Sequence, residues 1–251
     1  MIMNSNLFKY TLRIADNCLI LGQRMSEWCS NGPTLEEDIA MSNIALDMFG
    51  QANGFYKYAA QINTKITADE LAFKRNEREF FNFQLVEQEN GHFGNTIVRN
   101  FLFNAFNLLF YSELSSSKDE TLAALAAKSL KEAKYHLRHT KNWLIRLGDG
   151  TNESKQKVQE SIEDLWQFSG ELFEMDDIDY NIVEIGIGVD VKKLKSEWDQ
   201  IINNTLETAK IEKPSDGYMA SGGKKGIHTE CLGFLLAEMQ YIQRAYPNAK
   251  W

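Results

Sequence analysis

The scarcity of proline is the feature of this sequence that most limits its fold. Only three prolines occur among the 251 residues, at Pro33, Pro214 and Pro247. Proline lacks the backbone N–H that an α-helix uses and its ring clashes with the preceding turn, so it ends or kinks helices. Residues 34–213 contain no proline, and this long interval is therefore free to be helical. The sequence predicts an all-α fold.

Apolar residues recur at helical spacing along most of the chain, alternating steps of three and four. No linker is long or polar enough to divide the sequence, and we predict a single domain over residues 1–251. The stretch 174–190 is predicted to be a connection without helix. The predicted helices are at about 7–30, 35–62, 69–86, 92–114, 119–147, 152–173, 191–210 and 228–246.

The first predicted helix has two apolar sides. One stripe is continuous, and the opposite stripe of Leu12, Asp16, Leu19 and Gln23 is half apolar. A helix with this pattern is either central in its bundle or also faces a partner. The sequence leaves both alternatives open.

Composition excludes several classes of function. The 27 basic and 35 acidic residues give a net charge of −8, which argues against nucleic acid as the main partner. The cysteines Cys18, Cys29 and Cys231 are few and far apart, so no disulfide framework or thiolate zinc site is indicated. The sequence starts without a secretory signal and has no apolar run long enough to span a membrane. We expect a cytoplasmic location.

Two predicted helical hairpins, 7–62 and 92–147, suggest a ferritin-like four-helix bundle core with additional helices. In that plan each half supplies a carboxylate and a Glu-x-x-His pair to two metal ions. The spacing matters because residues i and i+3 share one face of a helix. The sequence can therefore be searched for these ligands.

Residues equidistant from the loop of an antiparallel hairpin lie at the same level. Asp16 and Asp47 are symmetric about residues 31–32, and Asn104 and Glu132 are symmetric about residues 117–118. At about 1.5 Å per residue, all four lie roughly 20 Å from their loops, near the middle of the bundle. They occupy the positions where ligands are expected.

The predicted ligand set is incomplete. Gly50 and Tyr135 stand three residues after Asp47 and Glu132, where histidines are expected. Asn104 replaces a carboxylate, and a neutral amide is a poor iron ligand. We therefore predict no metal, no cofactor and no catalytic residue in this chain, with Asp16, Asp47, Gly50, Asn104, Glu132 and Tyr135 as degenerate di-iron positions.

Two other interpretations of these residues remain. A di-iron oxidase could use Asp16, Asp47, Glu132 and His136 in an altered geometry. Alternatively, the carboxylates are buried ion pairs, because an unpaired buried charge is too costly. The arginines considered as their partners are Arg13, Arg24, Arg99 and Arg138.

The glycine-rich segment 222–226 precedes a predicted helix start and contains Lys224 and Lys225. Glycine-rich backbone and lysines beside a helix N-terminus can hold an anion such as a phosphate. A contact with an acidic partner fits the same residues. The segment does not have the Walker pattern, and the signal is weak.

Several longer motifs are distinctive. They are YTLRIADN at 10–17, IALDMFGQA at 44–52, EAKYHLR at 132–138, GGKKG at 222–226, HTE at 228–230 and LAEMQY at 236–241. Together they resemble the C-subunit family of phenylacetyl-CoA epoxidases, over essentially the whole chain. Cys231 departs from the family, in which a histidine is expected there.

The resemblance implies a ferritin-like subunit of a bacterial multicomponent monooxygenase in aerobic phenylacetate catabolism. The family's complex epoxidises the ring of phenylacetyl-CoA. The di-iron centre lies in its catalytic A subunit, and the C-type chain pairs with that subunit in a structural role. The partners implied are the A subunit and other subunits including a reductase, in a hetero-oligomer, with a homodimer possible when the chain is alone.

Overall fold

A computed structural model describes residues 2–247 and 249, with the side chains of residues 2 and 4 left out. Every regular element in that part of the chain is helical, which confirms the all-α prediction. Short 3₁₀ turns lie at Glu77–Glu79, Gly170–Phe173 and Gly223–Lys225. The helices are α1 (Ile2–Ser26), α2 (Leu35–Ile62), α3 (Ala68–Phe73), α4 (Gln84–Glu87), α5 (Phe93–Leu114), α6 (Glu120–Gly148), α7 (Asn152–Trp166), α8 (Asp177–Glu184), α9 (Val191–Ala209), α10 (Glu230–Met239) and α11 (Tyr241–Ala245).

The predicted helix at 69–86 is wrong, because the structure has two short helices separated by irregular chain. A capping box of Thr67 and Glu70 starts α3, and a second box at Asn76 follows soon after its end. An N-cap residue adopts an extended backbone, which interrupts a continuous helix. The segment between α3 and α4 forms its hydrogen bonds with side chains of α1 instead, as described below.

The segment 174–190, predicted as a connection, contains α8. The side chain of Asp176 accepts hydrogen bonds from the N–H groups of Ile178 and Asp179. The side chain of Asp179 in turn accepts from the N–H of Asp176, at 3.1 Å. This reciprocal cap stabilises a short helix whose acidic first turn also suits the helix dipole.

The contacts between residues divide the chain into two compact units. The first unit comprises Met1–Glu89 and Gly222–Trp251. In it α1 and α2 form a long hairpin, and α4 and α10 pack on α1. Every residue of α1 from Tyr10 to Gly22 is buried. Of the two alternatives for this helix, the structure therefore supports a central position within the chain.

The two helices of the first hairpin are not in the predicted register. A Cβ at Gly22 would lie 3.2 Å from the Cβ of Met48, and a Cβ at Gly32 would lie 2.6 Å from the Cα of Asp38. Continuing this register places Asp16 opposite residues 53–54 rather than opposite Asp47. The difference of about seven residues corresponds to about 10 Å along the helix axis.

The cause of this shift is the connection between α1 and α2. After Ser26 the chain continues in turns, with hydrogen bonds from Trp28 to Met25 and from Asn31 to Trp28. Gly32 then packs on α2 at Asp38, whose carboxylate accepts the Gly32 N–H at 3.0 Å. The hairpin therefore reverses several residues later than its sequence midpoint.

The second unit, Asn90–Ser221, is built on the hairpin of α5 and α6 with α7 and α9 packed against it. Here the predicted register is confirmed: the rings of Phe93 and Trp143, equidistant from the predicted loop centre, pack edge to face with centroids 5.0 Å apart. The fully buried Trp198 of α9 donates its indole N–H to the Leu102 carbonyl at 3.0 Å.

Among the described residues, no helix has the length and apolar character required to span a membrane.

Candidate functional site

The carboxylate of Asp16 lies at the centre of a buried polar cluster in the first unit. It accepts the Tyr56 hydroxyl at 2.6 Å, the Phe81 N–H at 2.8 Å and two N–H groups of Arg75. Asp16 is fully buried, and Tyr56 and Arg75 are almost completely buried. A carboxylate offers about four acceptor positions, and these donors occupy them. No lone pair of Asp16 is left to coordinate a metal ion.

The guanidinium of Arg75 is fixed by hydrogen bonds along its edges and by an aromatic ring against its face. Its remaining N–H groups donate to the carbonyl oxygens of Leu71 and Glu79 and to the Tyr56 hydroxyl. Its central carbon lies 4.1 Å from the centre of the Phe80 ring, within range of a cation–π interaction. The ion pair with Asp16 therefore replaces the predicted pairing with Arg13, Arg24, Arg99 or Arg138. No periodic pattern in the sequence indicated Arg75, because it lies in irregular chain.

Protonation keeps this cluster in its hydrogen-bonded form. Burial raises the pKa of Tyr56 well above its ordinary value, and the negative charge of Asp16 raises it further. Burial alone would lower the pKa of Arg75, but the charge of Asp16 and the hydrogen bonds to Asp16 and Tyr56 outweigh it and raise the pKa. The phenol therefore remains a donor and the guanidinium remains a cation at neutral pH.

The residues of α2 do not provide the metal ligands that Asp16 would need. The predicted partner Asp47 is half-buried and lies about 10 Å away along the axis by the observed register. Gly50 is exposed, and a Cβ there would have no atom within 4 Å. The i, i+3 pair at the level of Asp16 is Asn53 and Tyr56, an amide and a phenol. Neither register gives a Glu-x-x-His pair.

The hairpin of α5 and α6 contains the other positions that were predicted as degenerate di-iron positions. Asn104 is buried, Glu132 is half-buried and Tyr135 is exposed. The ring of Tyr135 lies against the rings of His136 and His139, with centroids 6.1 and 6.2 Å apart, and does not replace a histidine ligand. Asn104 and Glu132 share one level, as predicted. An amide and one half-buried carboxylate remain at that level.

Across the described residues, no group of three or more His, Cys, Asp or Glu side chains is arranged to hold a metal ion. The residues present therefore do not fit a di-iron centre. In the first unit the cation beside the Asp16 carboxylate is the guanidinium of Arg75.

A second buried carboxylate, Glu87, was not predicted from the sequence. Its oxygens accept the Thr229 N–H at 2.7 Å, the Thr229 hydroxyl at 2.9 Å and the Asn82 amide at 2.8 Å. The Nδ1 atom of His228 lies 2.8 Å from the same carboxylate, and its Nε2 lies 2.9 Å from the Phe80 carbonyl oxygen. Both partners of the ring are acceptors, so a protonated imidazole satisfies both contacts.

The Glu87 cluster attaches the C-terminal segment to the rest of the first unit. The HTE motif at 228–230 supplies His228 and Thr229, and Arg24 of α1 donates to the carbonyl oxygens of both Glu87 and Cys231. From the sequence, this motif indicates only a helix start beside a candidate anion site. Its observed role is to bind Glu87.

The glycine-rich segment 222–226 folds back on itself. The N–H groups of Lys225, Gly226 and Ile227 donate to carbonyl oxygens of Gly222 and Gly223 and are not available to an anion. The half-buried Lys224 ammonium lies 5.7 Å from the centre of the Phe83 ring, and Lys225 is exposed. An anion or an acidic partner would therefore meet these two side chains rather than a ring of backbone N–H groups, and that contact stays a prediction.

Gly226→Ala is expected to lower the stability of the first unit by about 2 kcal/mol or more, since a strained backbone conformation alone costs about 1–3 kcal/mol. Gly226 has φ = +74°, and an added Cβ would lie 2.2 Å from the Arg78 carbonyl oxygen. Gly217→Ala is the control, because a Cβ there has no atom within 4 Å. Urea unfolding followed by circular dichroism measures both; equal midpoints would contradict the prediction.

The fold defines a class, that of ferritin-like helical proteins, and the first unit contains a buried ion pair of Asp16 and Arg75. The aldehyde deformylating oxidase protein 19 from Synechococcus shares the fold, with a TM-score of 0.58, 14% identity, and coverage of 84% of this chain and 94% of that chain. At this identity the likeness concerns the fold alone.

The chain belongs to the phenylacetic acid catabolic protein family, whose model matches residues 2–251. It is 47% identical over 247 residues to the C subunit of the 1,2-phenylacetyl-CoA epoxidase of Escherichia coli K12. The match covers 98% of this chain and 100% of that protein. The resemblance found in the motifs is therefore confirmed.

Proposed function

We propose that this chain is a non-catalytic structural subunit of a 1,2-phenylacetyl-CoA epoxidase complex in phenylacetate catabolism. It pairs with the catalytic A subunit, which holds the di-iron centre, in a cytoplasmic hetero-oligomer that also includes a reductase. The observation that carries this proposal is the saturation of Asp16 by Arg75, Tyr56 and Phe81. The relative's description as a subunit supports assembly into a complex.

Electrostatics argues against the alternative of a di-iron oxidase using Asp16, Asp47, Glu132 and His136. A guanidinium keeps its proton at any pH at which proteins are folded. A divalent iron at Asp16 would have to compete with this cation for the same oxygens and would be repelled by it. Among the other degenerate positions, Gly50, Asn104 and Tyr135 carry no charge, and by the observed register Asp47 lies about 10 Å from Asp16 along the helix axis.

Iron content separates the two functions. We expect the purified chain, exposed to Fe²⁺ and then desalted, to retain far less than one iron per chain by mass spectrometric metal analysis. Glu132→Ala should leave this content unchanged, because Glu132 is not a ligand in the proposed role. Near-stoichiometric iron that is lost on replacing Glu132 or Asp16 would overturn the proposal.

Assembly is tested in a separate experiment. When this chain is co-expressed with a catalytic A subunit, the two are expected to elute together in size-exclusion chromatography, with iron present in the complex. The A subunit expressed alone is the control. An A subunit that is equally soluble, iron-loaded and active without this chain would contradict the structural role.

A further inference from the structure

The first unit contains a cavity that the proposed function does not use. It has a volume of about 320 Å³ and lies between α1, α2 and α3, with Met239 of α10 at one side. Three aromatic rings line it, from Phe49, Tyr56 and Phe73. It is open to solvent on one side, and a small molecule could therefore reach it without unfolding of the chain.

The space exists because small side chains surround it. Ala52, Ala68 and Ala72 line the cavity and end at Cβ, so they leave a gap that larger apolar residues would fill. Packed interiors tolerate few voids of this size. An apolar cavity of roughly 150 Å³ in another protein is enough to bind benzene. The present cavity therefore has room for one aromatic ring with a short substituent.

The lining favours an aromatic ligand. Rings pack against other rings edge to face or offset, with a gain beyond simple burial. The thioether of Met239 also packs well against an aromatic ring. These contacts are distributed around the cavity, from α2, α3 and α10, so that one bound ring can contact several of them.

The polar residues at the cavity favour a neutral ligand over an acid. The lining includes the exposed residues Asn53 and Asp69, and the half-buried Gln23. The two amides can donate to or accept from a hydroxyl or carbonyl substituent. The carboxylate of Asp69 would repel a ligand carboxylate, whereas no basic residue lines the cavity among those described.

We propose that this cavity binds a neutral small molecule that contains a single aromatic ring and a hydrogen-bonding substituent. Tyr56 contributes both a wall of the cavity and a hydrogen bond to Asp16, so an occupant contacts the buried ion-pair cluster through one side chain. This site is independent of the proposed structural role and of any metal. It adds a ligand-binding function to the chain.

The test uses benzyl alcohol as the probe and the full chain with ¹³C-methyl-labelled methionine. Titration is expected to shift the Met239 methyl signal with a dissociation constant of about 1 mM or tighter, as suits a ligand of this size. Met41 is fully buried in α2 outside the cavity lining and should not shift. Benzoate should bind more weakly than benzyl alcohol, and Asp69→Asn should reduce that difference.

Variants show whether the probe binds in the cavity or elsewhere on the surface. Ala68→Phe, which places a ring inside, should weaken binding by about tenfold or more. Ala60→Phe is the matched control, because Ala60 is a half-buried residue of α2 that does not line the cavity. Asn53→Trp, at an exposed position of the mouth, replaces Ala68→Phe if that variant does not fold.

Three outcomes would overturn the proposal. One is a Met239 signal that does not respond to benzyl alcohol up to about 10 mM, an affinity too weak for a built site. Another is equal binding to the wild type and to both cavity variants. A chain that binds no probe but whose assembly with another subunit fails in Asn53→Trp would assign the cavity to a partner side chain, which also contradicts the proposal.

Discussion

Arg75→Met is expected to lower the free energy of unfolding by about 3–5 kcal/mol, the usual cost of removing one partner of a buried ion pair. The variant leaves the fully buried carboxylate of Asp16 with only Tyr56 and the Phe81 N–H as donors. Urea unfolding monitored by circular dichroism measures the change. The exposed Arg78 provides the matched control, and Arg78→Met should change stability by no more than about 0.5 kcal/mol.

The double variant Asp16→Leu/Arg75→Met shows whether the loss is electrostatic. Replacing both members of a buried pair by apolar residues of similar volume is often neutral or stabilising. We therefore expect the double variant to be more stable than Arg75→Met alone. If Arg75→Met were as stable as the wild type, other groups would have to satisfy Asp16, and Arg75 would not be the cation that keeps a metal ion from this carboxylate.

Glu87→Ala is expected to destabilise the chain by about 3–5 kcal/mol, because the substitution leaves several buried donors without their acceptor. His228, Thr229 and Asn82 all lose a hydrogen bond to this carboxylate. The loss should be concentrated in the C-terminal segment. Amide hydrogen exchange of α10 is therefore expected to accelerate more than that of α5.

Glu238→Ala is the control for this variant, since Glu238 is exposed on α10 itself. It should leave exchange in α10 nearly unchanged. Glu87→Gln should fall between the two, because an amide keeps the volume of the side chain but loses the charge that attracts His228. An α10 that exchanges at wild-type rates in Glu87→Ala would show that other contacts hold the C-terminal segment.

The two hairpins show how far loop symmetry predicts a helical bundle. In the second unit the link between Leu114 and Glu120 is short, so Phe93 and Trp143 pair as their distances from the loop predict. In the first unit the chain continues in turns beyond Ser26 and reverses only after Gly32, which packs opposite Asp38. Loop symmetry predicts the pairing of residues only where no extra turns extend one of the two helices before the chain reverses. The sequence does not show whether such turns are present.

Sequence spacing could not identify the partner of the Asp16 carboxylate. Asp16 and Arg75 are 59 positions apart, and Arg75 lies in a segment whose backbone is neither helix nor strand. Such a segment has no periodicity to reveal which way a side chain points. Glu87 could not be predicted either, because its partners lie 141 and 142 positions away.

The ion pair of Asp16 and Arg75 also limits how metal binding at Asp16 could evolve. A histidine introduced at Gly50 or a carboxylate introduced at Asn104 would leave the guanidinium of Arg75 in place beside Asp16. Metal binding at Asp16 could therefore evolve only after the loss of Arg75, and we expect that first step to be strongly destabilising. The stability of the fold thus opposes the gain of a metal ion at this carboxylate.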